Sequence, residues 1–286
     1  MPPTILVIAQ HGDVGAVALA TLLRRRGTTR VTLVDAAAFG RSPVTHYPES
    51  GPPDTAPPEG ERNPDGIDGD PDVVYCRTPG LEAPHFARAA DGEYALAEMH
   101  AFGLSWLWRR REVVVNRPVP EALSGATPDV LRTSQACARV GLRTPDLLLA
   151  VDSARVPPDR TSHVPRLWPD PAVPLDPDAL PVRGTAPPLA VPGAWVEPIG
   201  EERRRVLVAG DRTDAPAAMA GAVVALAREL GLEVAEIRLA PSVVPDAEPR
   251  VMSVGPVPAL AEYAQVGMLA DHLERRAIRH DAGRTR

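Results

Sequence analysis

The sequence predicts an α/β fold whose first half is a parallel sheet, and three observations carry that expectation. Apolar runs of strand length alternate with segments whose apolar residues recur at helical spacing. The first strand, helix and strand follow one another within 35 residues, as in a parallel βαβ unit. Gly27 and Gly141 stand directly after helical patterns, where a residue that tolerates a left-handed backbone ends a helix.

Residues 4 to 9 read as a buried strand, Val14 to Arg26 as a helix, and Val31 to Asp35 as a second strand. The turn Gln10-His11-Gly12-Asp13 falls at the carboxyl end of the first strand, where open α/β sheets bind ligands. Residues 41 to 72 hold eight prolines among Asp, Glu, Gly and Ser, and are expected to be a polar loop insertion. Val73 to Arg77 is a strand, about Asp91 to Trp108 a long helix, and Val113 to Val115 a strand closed by Asn116-Arg117-Pro118. A helix over Pro128 to Val140 precedes the apolar run Leu147 to Val151. Residues 152 to 194 carry eleven prolines in 43 positions and are expected to be a mostly irregular excursion. Arg205 to Gly210 is then a strand, Pro216 to Gly231 a helix, Glu233 to Leu239 and Arg250 to Val254 strands, and Ala259 to His280 a terminal helix with basic last turns.

At 286 residues the chain can bury two or three small cores. Its net charge of −6 gives no electrostatic reason to expect nucleic acid or an anionic membrane as partner. No apolar stretch reaches membrane-spanning length, and the N-terminus lacks a basic export signature, so a cytoplasmic protein is expected. Cys76 and Cys137 lack the spacing of a disulfide framework or zinc site, and both are expected to be reduced and buried. All 31 basic residues are arginine. With no lysine, a Schiff base, a P-loop lysine and a lysine general base are all excluded.

Four segments in order resemble the ATP-grasp superfamily, in particular peptide ligases of the microviridin-maturase type with their pre-ATP-grasp domain. The first is Val74-Tyr75-Cys76-Arg77, Tyr94, Glu98 and Val114-Val115-Asn116-Arg117-Pro118; the second runs from Arg132-Thr133-Ser134-Gln135 to Gly141-Leu142-Arg143-Thr144-Pro145. The third is Trp195-Val196-Glu197-Pro198 with Arg205 to Asp211, similar to the family's adenine and ribose hinge and the strand after it. The fourth is Leu230-Gly231-Leu232 to Leu239, with Met252-Ser253-Val254-Gly255-Pro256. The resemblance implies an N-terminal pre-ATP-grasp parallel sheet over 1–120 and a shortened, degenerate ATP-grasp domain over 121–286, with 152–194 as the shortened lid region.

Such a ligase makes an acyl phosphate from ATP and a carboxylate, which needs cations around the phosphates. The resemblance places magnesium ligands at Arg238, Ser253 and Gly255, none of which carries the carboxylate or amide oxygen a hard cation takes. It places a phosphate-gripping lysine at Arg132, a ribose contact at Glu197 and a substrate-side or phosphate-side role at Arg205. These three are the candidates for a residual nucleotide cleft, with no catalytic residue and no metal site expected. The leading expectation is a non-catalytic homologue that binds or scaffolds in peptide or natural-product maturation, with no cofactor. Its partner would be a precursor peptide, an active ATP-grasp paralogue or a second copy of itself. An active ATP-dependent carboxylate–amine ligase, using ATP and magnesium held by acids such as Glu236 or Asp246, is the first alternative. A nucleotide or metabolite sensor working through Glu197 is the second.

Three further groups have two readings each. His11 and Asp13 either bind a ligand or cap the following helix. Trp106, Trp108 and Arg109 either form a docking patch or mark a helix end with one ring in the core. Glu98 and His100, two apart on a helix, face different directions and make a poor catalytic pair.

Overall fold

A computed structural model describes residues 2–41, 71–82, 87–150, 164–167, 193–196, 204–241 and 248–284. The Pro-rich insertion expected over 41–72 falls almost wholly outside them. Among the described residues no helix is long and apolar enough to cross a membrane. The chain divides into two units, Met1–Ala126 with Ala259–Arg286, and Thr127–Pro258.

The first unit is built on β1 (Thr4–Ala9), β2 (Arg30–Asp35), β3 (Val73–Cys76) and β4 (Val114–Val115), all parallel, in the order β2-β1-β3-β4. Between them run α1 (Val14–Arg26), the short α2 (Ala36–Arg41) and α3 (Ala89–Arg109). Alternation along β1 sends Leu6 and Ile8 into one core with Phe39, Val74, Cys76, Trp106 and Leu107. Gly27 closes α1 at φ 70°, as its position after the helical pattern suggested. The helix α2 was not anticipated; Asp35 starts it by accepting hydrogen bonds from the main-chain N–H of Ala37 at 2.8 Å and Ala38 at 3.4 Å.

The terminal helix α6 (Tyr263–Arg284) belongs to this first unit and not to the second, where the sequence reading put it. It packs on α1, β1 and β3. Side chains explain the choice: Arg26 of α1 reaches Asp271 at 2.8 Å and Glu274 at 2.7 Å, and Arg276 donates to the Glu112 carbonyl at 2.9 Å. His280 lies 3.2 Å from Asp72, whose other oxygen accepts from the Thr4 main chain at 2.8 Å.

In the second unit β8 (Arg204–Ala209), β9 (Arg212–Thr213), β10 (Val234–Ala240) and β11 (Arg250–Gly255) form an antiparallel sheet in the order β11-β10-β8-β9. Before them stand α4 (Val130–Val140) and β5 (Leu147–Ala150), and α5 (Ala217–Glu229) lies between β9 and β10. Val206, Val208, Ala235, Ile237, Val251 and Val254 face Ala136 and Cys137 of α4 and Val223, Leu226 and Ala227 of α5 in one apolar core.

Most of the stretch 152–194, expected to be mostly irregular, lies outside the described residues. Within it β6 (Val164–Leu167) pairs antiparallel with β7 (Gly193–Val196), which also pairs with β5. Pro165 is tolerated because β6 is an edge strand, where a missing N–H removes no ladder bond on the open side.

Candidate functional site

The antiparallel sheet of the second unit buries one face under α4 and α5, so residues of opposite parity lie on the other face. Arg238 sits at the middle of that other face, directly across from Arg205 on β8 and Ser253 on β11; Glu236 sits across from Leu207 and Gly255. All three positions that the resemblance assigns to magnesium therefore come together in space. The one charge among them is the Arg238 guanidinium.

Two arginines directly opposite on neighbouring strands repel. Glu236 relieves this for one of them: its Oε1 accepts from Arg238 Nε at 2.9 Å, two residues away on the same strand face. Glu236 is buried and Arg238 half-buried, so the pair is shielded more than a surface ion pair would be. A divalent cation does not fit this arrangement, because the carboxylate nearest to the assigned positions already holds a guanidinium that would repel the ion. Among the described residues no three His, Cys, Asp or Glu side chains come together in a way that could hold a metal. The Arg205 side chain is exposed, where it is accessible to an anionic group.

The other nucleotide candidates are not gathered here. Arg132 is exposed in the first turn of α4, a helix that packs through Ala136 and Cys137 on the opposite side of the sheet. Its main-chain N–H donates to Asp129, the residue capping α4, at 2.7 Å. Glu197 and Asp246 lie outside the described residues.

A second polar cluster stands where β1 and β3 end. Asp13 caps α1 by accepting from the Ala16 main chain at 2.9 Å, and Arg77 grips the same carboxylate with Nε at 2.8 Å and Nη2 at 3.1 Å. Arg77 is buried and its guanidinium lies 5.8 Å from the centre of the Tyr75 ring. Burial alone would raise the Asp13 pKa; the hydrogen bonds and charge of Arg77 outweigh it and hold the carboxyl below its ordinary 3.8. Asp13 is thus tied up as a cap and ion-pair partner. His11 points to water, 92% exposed, with Nδ1 3.5 Å from Asp35. Arg77 is the member that the sequence reading passed over, although a charged residue ending an apolar strand opposite an N-cap aspartate was a visible signal.

Of the proposed docking residues, Trp106 is in the core at 1% exposure, edge-on to Phe39 at 5.3 Å and stacked under Arg110 at 4.1 Å. It cannot reach a partner, because the amphipathic period of α3 turns it onto the sheet. Trp108 and Arg109, about 200° and 300° further round the helix, are exposed. His100 Nε2 lies 2.9 Å from the Pro120 carbonyl. Both cysteines are free and buried, and burial pushes the Cys76 thiol up to about 12 and the Cys137 thiol to about 11, which leaves neither as a thiolate near neutral pH.

A parallel sheet with helices, followed by a small antiparallel sheet and a larger one backed by two helices, gives this chain the fold of the ATP-grasp ligases of the microviridin-maturase type. In particular it is similar to the ATP-grasp ligase PsnB complexed with a minimal precursor, with a TM-score of 0.67 and 17% identity over 96% of this chain and 100% of that one. It is also similar to the macrocyclase MdnC bound with precursor peptide MdnA from Microcystis aeruginosa MRC, with a TM-score of 0.62 and 14% identity over 96% and 99% of the two chains. A third similar structure is the Chryseobacterium gregarium RiPP-associated ATP-grasp ligase in complex with ADP and a leader and core peptide, with a TM-score of 0.61 and 12% identity over 95% and 96%. No protein-family model matches the sequence, and no curated protein matches it either. At these identities the likeness establishes the fold, and the chemistry has to be read from this chain's own residues.

Proposed function

We propose that this chain is a cytoplasmic, non-catalytic ATP-grasp homologue that serves as a binding or scaffolding partner in the maturation of a peptide. The observation that carries the proposal is the Arg238–Glu236 pair at 2.9 Å, on the sheet face where the resemblance would place magnesium. An ATP-grasp ligase needs its cations there, and this chain has put a fixed guanidinium in their place. The absence of any lysine removes the usual phosphate grip as well.

Three of the similar structures hold precursor, leader or core peptides, and this supports a peptide as the partner. Arg205 supplies an exposed cation for an acidic side chain or chain terminus. Glu197 as a ribose contact and Arg132 as a phosphate contact belong to the sensor alternative, in which nucleotide binds without turnover.

The test is ADP release from ATP and magnesium, measured with and without an acidic peptide. The rate is expected to equal that of buffer. Magnesium-dependent ADP formation above that background would instead establish the active ligase.

A further inference from the structure

The sheet face turned away from α4 and α5 carries more positive charge than the Arg238–Glu236 pair alone reveals. Directly paired residues on neighbouring strands share a face, so the register sets Arg205, Arg238 and Ser253 in one row across β8, β10 and β11. Arg250 pairs with Ala240 and so stands on the same face, two residues beyond that row and roughly 7 Å along the strands. On the outer edge of β11, Arg143 bridges Arg250, and its carbonyl accepts from the Val251 main chain at 2.8 Å. Arg143 and Arg205 are exposed, and Arg238, Arg250 and Ser253 are half-buried. Among the described strand residues of this face the one carboxylate is Glu236, and its Oε1 is held by Arg238 Nε at 2.9 Å.

Arginines directly across from each other repel, and Glu236 balances only one of them. A bound anion supplies the missing negative charge. The donors in the row are two guanidiniums and a hydroxyl, on three strands roughly 4.8 Å apart. A carboxylate offers them one charge and two oxygens, whereas a phosphoryl group offers about two charges and three acceptor oxygens. We propose that this face binds the terminal phosphoryl group of a small molecule without a divalent cation. Arg205 and Arg238 take two of its oxygens, the Ser253 hydroxyl takes the third, and Arg250 and Arg143 strengthen the positive field beside them. The Arg238 guanidinium is covalently fixed, so the site keeps its charge when no magnesium is present. Magnesium in solution then competes with the site for the phosphoryl oxygens. The inference rests on the reading of this chain as one whose sheet face holds no metal.

Calorimetric titration of the full chain with inorganic phosphate and, separately, with ATP, both in excess EDTA and from about 0.01 to 10 mM ligand, tests this. Saturable binding of ATP is expected in EDTA, and added magnesium is expected to weaken it. Phosphate that binds within tenfold of ATP assigns the site to free phosphate, and ATP tighter than that assigns it to a nucleotide. Arg205→Gln is expected to weaken binding at least tenfold. So is Arg238→Gln combined with Glu236→Gln, which removes a donor, leaves the net charge unchanged and strands no buried carboxylate. Arg111→Gln, the same loss of charge in the first unit, is expected to bind as the wild type does. Three results would each overturn the proposal: no binding of either ligand in EDTA, binding that appears only with magnesium, or an Arg111→Gln loss equal to that of Arg205→Gln. ADP release above the buffer rate would instead overturn the non-catalytic reading, and is scored separately from the EDTA titration.

Discussion

Replacing Trp106 with alanine is expected to cost about 3–5 kcal/mol of folding stability, the range for emptying a large aromatic site in a packed core. The indole is fully buried, meets Phe39 edge-on at 5.3 Å, and lies beneath Arg110 at 4.1 Å. Its loss would open a void next to Leu107 and Leu123 and leave the Arg110 guanidinium without its aromatic surface. The same change at Trp108, two residues on and half exposed, is expected to stay within about 0.5 kcal/mol. Urea unfolding followed by far-ultraviolet circular dichroism compares the two. Equal effects would mean that the assignment of one ring to the core and the other to the surface is wrong.

Replacing Arg77 with methionine is expected to cost about 3 kcal/mol, because it leaves Asp13 partly buried and without its countercharge. The value falls at the low end for a buried pair, since the Asp13 side chain keeps 18% of its exposure and its cap bond to Ala16. Acid unfolding gives the second readout. The folded-state pKa of Asp13 is depressed, so its contribution to stability is complete above the unfolded value of 3.8 and is lost as pH falls below that through the lower folded value. The wild type therefore loses more stability below pH 3.8 than the Arg77→Met variant does. A variant that is as stable as the wild type at neutral pH would show that the pair is dispensable.

Much of the architecture was legible because period and punctuation agreed. The helix Val14–Arg26 was bounded by Asp13 and Gly27, and all strands of the two large sheets except the two-residue Arg212–Thr213 were apolar runs flanked by turn residues. Other features besides the short α2 were missed or misplaced for physical reasons. The edge strand Val164–Leu167 contains a proline, which excludes a central strand and is silent about an edge, and the Gly193–Val196 strand it pairs with follows a proline-rich run. The terminal helix was grouped by sequence proximity, whereas Arg26, Asp72 and Glu112 draw it back across more than 160 residues to the first sheet.

The site was half legible. Arg238, Ser253 and Gly255 could be named from the resemblance, and strand periodicity would have placed Arg238 beside Glu236. That Arg205 stands directly across from Arg238 depended on strand register, which no local pattern fixes.

Calorimetric titration of the purified protein with ATP, with and without magnesium, tests the proposed loss of metal-dependent nucleotide chemistry most directly. The Arg238–Glu236 pair predicts that magnesium adds no heat of binding at any ATP concentration tried. Micromolar binding that appears only with magnesium would contradict it, and would mean that acids outside this sheet face hold the ion.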